Sequence, residues 1–83
     1  MEKVYLDLAD HLEGVARSQD LTDYRDLVEH NEGVIALQNI CQNLYEYDTP
    51  LSRPVFDHIV SVARQAGLAG REWAFLEELV EDA

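Results

Sequence analysis

Residues 32–45 read "EGVIALQNICQNLY". Val34, Leu37, Ile40, Cys41 and Leu44 recur there at steps of three and four, the spacing that stacks side chains on one face of an α-helix. Ile35, Ala36 and Tyr45 widen this stripe, which is the clearest in the chain, so the segment is expected to be the central helix of the fold. Both of its ends carry breakers. Upstream, "HNEG" offers Asn31 as a left-handed stop or a new N-cap, with Gly33 relaxing the backbone nearby. Downstream, "DTPLSRP" ends the helix, because Pro50 disfavours helix at Thr49. Ser52 is then placed to cap the next helix, with Pro54 in its first turn.

The same period extends both ways. Val4, Tyr5, Leu8, Leu12, Val15 and Ala16 predict a helix over about 2–17, with Asp7, Asp10 and Glu13 on its other side. Gly14 weakens its last turn by about 1 kcal/mol relative to Ala. A second helix opens at Asp20 or Thr22, turning Tyr24, Leu27 and Val28 inward and Asp23, Asp26 and Glu29 outward. Past the central helix, Val55, Phe56, Ile59, Val60 and Ala63 mark a fourth, with Gly67 as its C′ residue. A last helix over about 70–81 presents Trp73, Leu76, Leu79 and Val80. No convincing strand alternation, linker or repeat appears. The expected fold is all-α, a bundle of four to five short helices forming a single domain over residues 1–83.

Seventeen acids face six bases, a formal net charge of −11 with a pI near 4.3. A magnitude of about 2–8 usually suffices to keep a small domain soluble. The excess repels the polyanionic surfaces of nucleic acids and anionic membranes and favours capture of cationic partners. The one cysteine, Cys41, excludes an intramolecular disulfide and a cysteine-based zinc site, and its place in the apolar stripe assigns it to packing. The N-terminal acids do not fit a signal peptide, and no apolar run approaches 18 residues. Cytoplasmic location is expected.

Chemistry is harder to find. His11 follows Asp7 by four residues, His30 lies between Glu29 and Asn31, and His58 follows Asp57. None has the His-Glu-x-x-His spacing that brings two imidazoles to one metal. "DLADHLEG" fails as a calcium loop because Leu8 stands where an oxygen ligand is required. No phosphate loop or nucleophile motif appears, and Trp73 with Phe75 and Leu76 reads as core. Acyl carrier proteins share the length, acidity and helix count, but Ser18, Ser52 and Ser61 all lack the preceding Asp of the carrier serine. No catalytic residue, metal or cofactor is expected.

Glu32-Gly33 leading an apolar helix, the run Leu44-Tyr45-Glu46-Tyr47-Asp48, then Pro50-Leu51-Ser52, the helix with Phe56 and Ile59, and the Trp73 to Leu76 ending form a pattern over roughly residues 27–80. It resembles the MafI-type immunity proteins of bacterial polymorphic toxin systems. Related all-helical immunity proteins occur in contact-dependent growth inhibition. Residues 1–26 lie outside this resemblance. It implies a non-enzymatic cytoplasmic protein that binds a cognate secreted nuclease toxin domain, for example an EndoU-type RNase, as a one-to-one heterodimer. The acidic balance independently suits a partner that must be cationic to hold its substrate.

The candidate toxin-binding residues are Asp7, Asp10, Asp23, Asp26 and Glu29 on the first two helices, with Glu46, Tyr47 and Asp48 after the third. Tyr45 is expected mostly buried. Tyr47 lies against the protein's own core or against the toxin. The alternatives are an acidic adaptor for another basic protein, a nucleic-acid mimic, and a small acid-base or metal enzyme.

Overall fold

Helical periodicity resolves into four α-helices: α1 (Glu2–His11), α2 (Ser18–Glu29), α3 (Gly33–Glu46) and α4 (Arg53–Gln65). Two 3-10 segments follow, Gly70–Glu72 and Ala74–Leu79. This computed structural model describes residues 1–81, and it is the expected all-α bundle. Among the described residues the nearest thing to a sheet is one parallel bridge between Leu51 and Val80.

The α3 stripe is the floor of the core. Ala36, Leu37, Ile40, Cys41 and Leu44 are buried, and α2 packs along them through Leu21, Tyr24 and Val28. Tyr5, Leu8, Ala9 and Leu12 close one side from α1, and Val55, Phe56, Ile59, Val62 and Ala63 of α4 join the same cluster. Fully burying one such aliphatic or aromatic side chain contributes about 1.5–3 kcal/mol. An exposed ion pair such as Lys3–Asp7, at 3.0 Å, contributes about 1 kcal/mol at most. Apolar burial therefore holds the helices, and the surface charges do not.

Three of the helices stop by one device. A residue with positive φ follows the C-cap, and two backbone N–H groups turn back onto carbonyls of the last turn. At α2 the residue is Asn31 (φ 65), with Glu32 N–H on the Leu27 carbonyl at 2.8 Å. At α3 it is Asp48 (φ 49), with Thr49 N–H on the Leu44 carbonyl at 3.0 Å. At α4 it is Gly67 (φ 79), with Leu68 N–H on the Ala63 carbonyl at 3.0 Å. Asn, Asp and Gly are the residues that enter this region most readily. The expected Ser52 cap also forms, its Oγ accepting from Val55 N–H at 3.3 Å.

Several expectations need correction. α1 ends at His11, not near residue 17, because Gly14 (φ 77) reverses the chain; Val15 and Ala16 then pack partly on the core from the turn. α2 starts at Ser18, ahead of both expected caps. Thr22 Oγ1 instead donates back to the Ser18 carbonyl at 3.0 Å, and Asp20 sits in the positive first turn of the helix, where its charge is favoured. Val34 and Ile35, at the start of α3, are exposed and line a surface depression with Met1, Tyr5 and Glu32. The ending is two 3-10 segments broken at Trp73 (φ −141), not one α-helix. Trp73, Leu76 and Leu79 are spaced by threes, which is the 3-10 period. Leu51 N–H donates to the Leu79 carbonyl at 3.0 Å and Glu81 N–H to the Leu51 carbonyl at 2.8 Å, drawing Val80 out of helix.

Gly33 has no side chain because the Tyr5 ring occupies that space: a Cβ there would overlap the ring. Ordinary Gly→Ala exchange in a helix stabilises by up to about 1 kcal/mol. Gly33→Ala should instead lose about 1–3 kcal/mol through overpacking, read as a lower urea midpoint. A midpoint at or above wild type would refute the contact.

Candidate functional site

Acidic side chains on the outer faces of helices keep their charge toward solvent, so their grouping decides where the surface is most negative. The eight candidate residues do not form one patch. Asp7 pairs with Lys3 on the part of α1 that approaches α4. Asp10 and Glu13 both reach Arg25 of α2, at 3.2 and 2.7 Å, and this keeps the Arg25 pKa above its ordinary value, the Glu13 hydrogen bond being the largest cause. Much of the local charge on α1 is thus answered within the molecule.

α2 divides again. Asp26 engages His30, whose Nδ1 lies 2.8 Å from the Asp26 carbonyl and 3.6 Å from its carboxylate; this raises the His30 pKa, the backbone hydrogen bond first. Glu29 is exposed beside it. Asp23 faces the other way, accepting from Gln19 Nε2 at 3.0 Å, and with Asp20 it edges a cleft of about 190 Å³ between α2 and α3. Asn39, Gln42 and Asn43 form the α3 wall of that cleft. Gln42 also borders a second, more open depression with Tyr45, Glu46 and Phe75. An amide-rich stripe on α3 therefore joins the two hollows.

The Tyr-Glu-Tyr-Asp run is where α3 stops. Glu46 is its last residue, Tyr47 the C-cap and Asp48 the left-handed residue beyond it, so the role of Asp48 is first a backbone one. Tyr47 is 52% exposed but not vacant: the Arg17 guanidinium lies 4.2 Å above its ring, tying the start of α2 to the end of α3. Tyr45, expected buried, is 41% exposed. Its ring meets Phe75 edge to face with centroids 5.1 Å apart, and its hydroxyl donates to Glu78 at 3.4 Å. The stripe widens past the core at this position, and the 3-10 ending covers Tyr45 on one side only.

Sequence reasoning missed Asp20, Asn39, Gln42, Asn43, Phe75 and Glu78. The signal for the amides was available: Gln38, Asn39, Gln42, Asn43 and Glu46 repeat at helical spacing opposite the apolar stripe. Phe75 and Glu78 were hidden by the wrong helix type.

Reactive groups are scarce. Burial pushes the Cys41 thiol up to about 12, with Glu72 adding to it, so it stays protonated and inert at neutral pH. Burial likewise raises the Tyr24 hydroxyl, which donates to the Tyr5 carbonyl at 2.8 Å. No group of three or more metal-ligating side chains converges among the described residues. No described helix is long and apolar enough to cross a membrane.

The chain matches no protein-family model, no curated protein and no solved structure.

His11 and His58 join α1 to α4 through Nδ1 atoms 2.9 Å apart, which requires one ring to donate and the other to accept. Burial, then the nearby His11, lowers the His58 pKa below 6.5, while Asp7 opposes them. A depressed folded pKa contributes stability above the unfolded value, and that contribution is lost as pH falls through the folded value. Wild type should therefore lose more stability than His58→Gln on going from pH 7.5 to pH 5. Equal losses in parallel urea titrations would show that His58 does not titrate with folding.

Proposed function

We propose that this protein is an immunity protein that binds a cognate secreted nuclease toxin domain one to one and neutralises it. It does so by occupation alone, acting in the cytoplasm and without catalytic chemistry. The observation that carries the reading is uncompensated outward charge. Asp20, Asp23, Glu46 and Asp48 make no ion pair among the described residues, and together they edge the α2–α3 cleft and the end of α3. Residues 1–32 alone hold nine acids and three bases. A nuclease presents positive charge where its phosphate substrate binds, so such a field is attracted toward that cleft and accelerates encounter. The resemblance to MafI-type immunity proteins supports the same partner class, with an EndoU-type RNase as the first toxin to test.

Capture of this kind has a kinetic signature. The protein, mixed with the toxin domain encoded beside its gene, should form a one-to-one complex that brings cleavage to background at one equivalent. Raising salt from about 50 to 500 mM should slow association about tenfold or more while dissociation changes little. No complex with undiminished cleavage would end the immunity reading. A complex with a different basic protein, displaced by polyanions, would point to a nucleic-acid mimic.

A further inference from the structure

Aromatic rings and arginines are matched across this surface. Arg17 covers Tyr47 at 4.2 Å, Arg53 approaches Phe56 at 5.5 Å and Arg64 approaches Trp73 at 5.6 Å. The Tyr45–Phe75 pair differs. No cation lies over either ring among the described residues, although an edge-to-face pair leaves ring faces open. It lines a shallow depression of about 490 Å³, with Gln42, Tyr45 and Glu46 contributed by α3 and Phe75 by the 3-10 ending, and the Tyr45 hydroxyl donates to the neighbouring Glu78 carboxylate at 3.4 Å. Arg71 lines the adjoining hollow that shares Gln42 and Phe75, where the Glu72 carboxylate accepts from Gln38 Nε2 at 2.6 Å and from Ala69 N–H at 3.2 Å.

We propose that this depression is an anchor site for a guanidinium side chain of a basic protein partner. Three features fit that group together. The ring faces attract a cation through their quadrupole. Glu46 and Glu78 supply two carboxylates, and guanidinium binds carboxylate in a planar, two-pronged way that ammonium cannot reproduce. Gln42 offers a neutral acceptor that adds direction without further charge. The chain itself demonstrates the cation–ring contact two residues beyond Tyr45, where Arg17 stacks on Tyr47 at the same helix end. Identifying the partner as a toxin rests on the function proposed above, whereas the chemistry of the anchor does not.

The test uses the whole chain and a defined probe, the capped tripeptide Gly-Arg-Gly, beside its lysine and citrulline forms. Amide and aromatic NMR shifts should move at Gln42, Tyr45, Glu46, Phe75 and Glu78, most with arginine and least with citrulline. Tyr45→Leu, which keeps an apolar contact with Phe75, and Glu46→Gln, which is exposed, should each weaken binding about two- to five-fold. Shifts spread evenly over Asp7, Asp10, Asp23 and Asp26 would overturn the site, because they would report only long-range attraction. So would no shift, or variants that bind as wild type does. In the toxin complex, unchanged affinity in both variants would also overturn it. Failure of wild type to bind the toxin would instead count against the immunity reading, with the tripeptide result still deciding the anchor.

Discussion

The ring of Tyr5 lies directly on the backbone of Gly33, and the Tyr5 carbonyl accepts the buried Tyr24 hydroxyl at 2.8 Å. This junction joins α1, α2 and the start of α3 at one point. It requires Gly33 to lack a side chain, and it requires α2 to end early enough for the chain to turn into α3 within three residues. Asn31 provides that turn in the left-handed region. Once α1 is fixed there, Leu8, Ala9 and Leu12 are committed to the core, and α4 closes against them. The free energy of the junction comes from packing and one satisfied buried hydroxyl, the kinds of interaction that keep their value when salt rises. The charged surface can then serve association without being needed for folding.

That separation shapes the outer face of α3. Its apolar side is spent on α1, α2 and the C-terminal segment, so the exposed side carries amides and Glu46 and no basic residue that would repel a cation. α2 adds Asp20 and Asp23 along one border. The 3-10 ending adds Phe75 and Glu78 along the other. The ending holds that position because Leu51, buried between α3 and α4, hydrogen-bonds on both sides to the chain around Val80. The proposed docking face would thereby lie on helix, with aromatic side chains beside polar groups, an arrangement common at tight protein interfaces.

Much of the architecture was readable from residues alone. The α3 stripe, the Ser52 cap, the Gly67 stop and the core role of Cys41 all follow from local rules that the tertiary structure respects. The misses have a common cause in tertiary contacts that outvote local pattern. Val34 and Ile35 obey helical spacing but stay exposed beside Tyr5, and Tyr45 is covered by Phe75 on one side only. Gly33 read as a relaxed backbone position, whereas the ring of Tyr5, far away in sequence, is what excludes a side chain. The last helix was mistaken because steps of three residues, as in Trp73, Leu76 and Leu79, occur in α-helical stripes and in 3-10 segments alike. Among the candidate site residues, sequence placed all eight acids and aromatics on helices or their ends. It carried no information on which of them Arg17 and Arg25 would engage, since those contacts cross between elements, whereas the Lys3–Asp7 pair lies four residues apart on one helix.

The central claim is that a basic partner docks along α3, between α2 and the 3-10 ending. Hydrogen exchange of the chain, alone and mixed with the toxin domain encoded beside it, tests this most directly. The account predicts added protection in residues 20–27, 39–48 and 74–78, with little change in α4. Protection confined to α4 and the outer face of α1, or none at all on mixing, would contradict it.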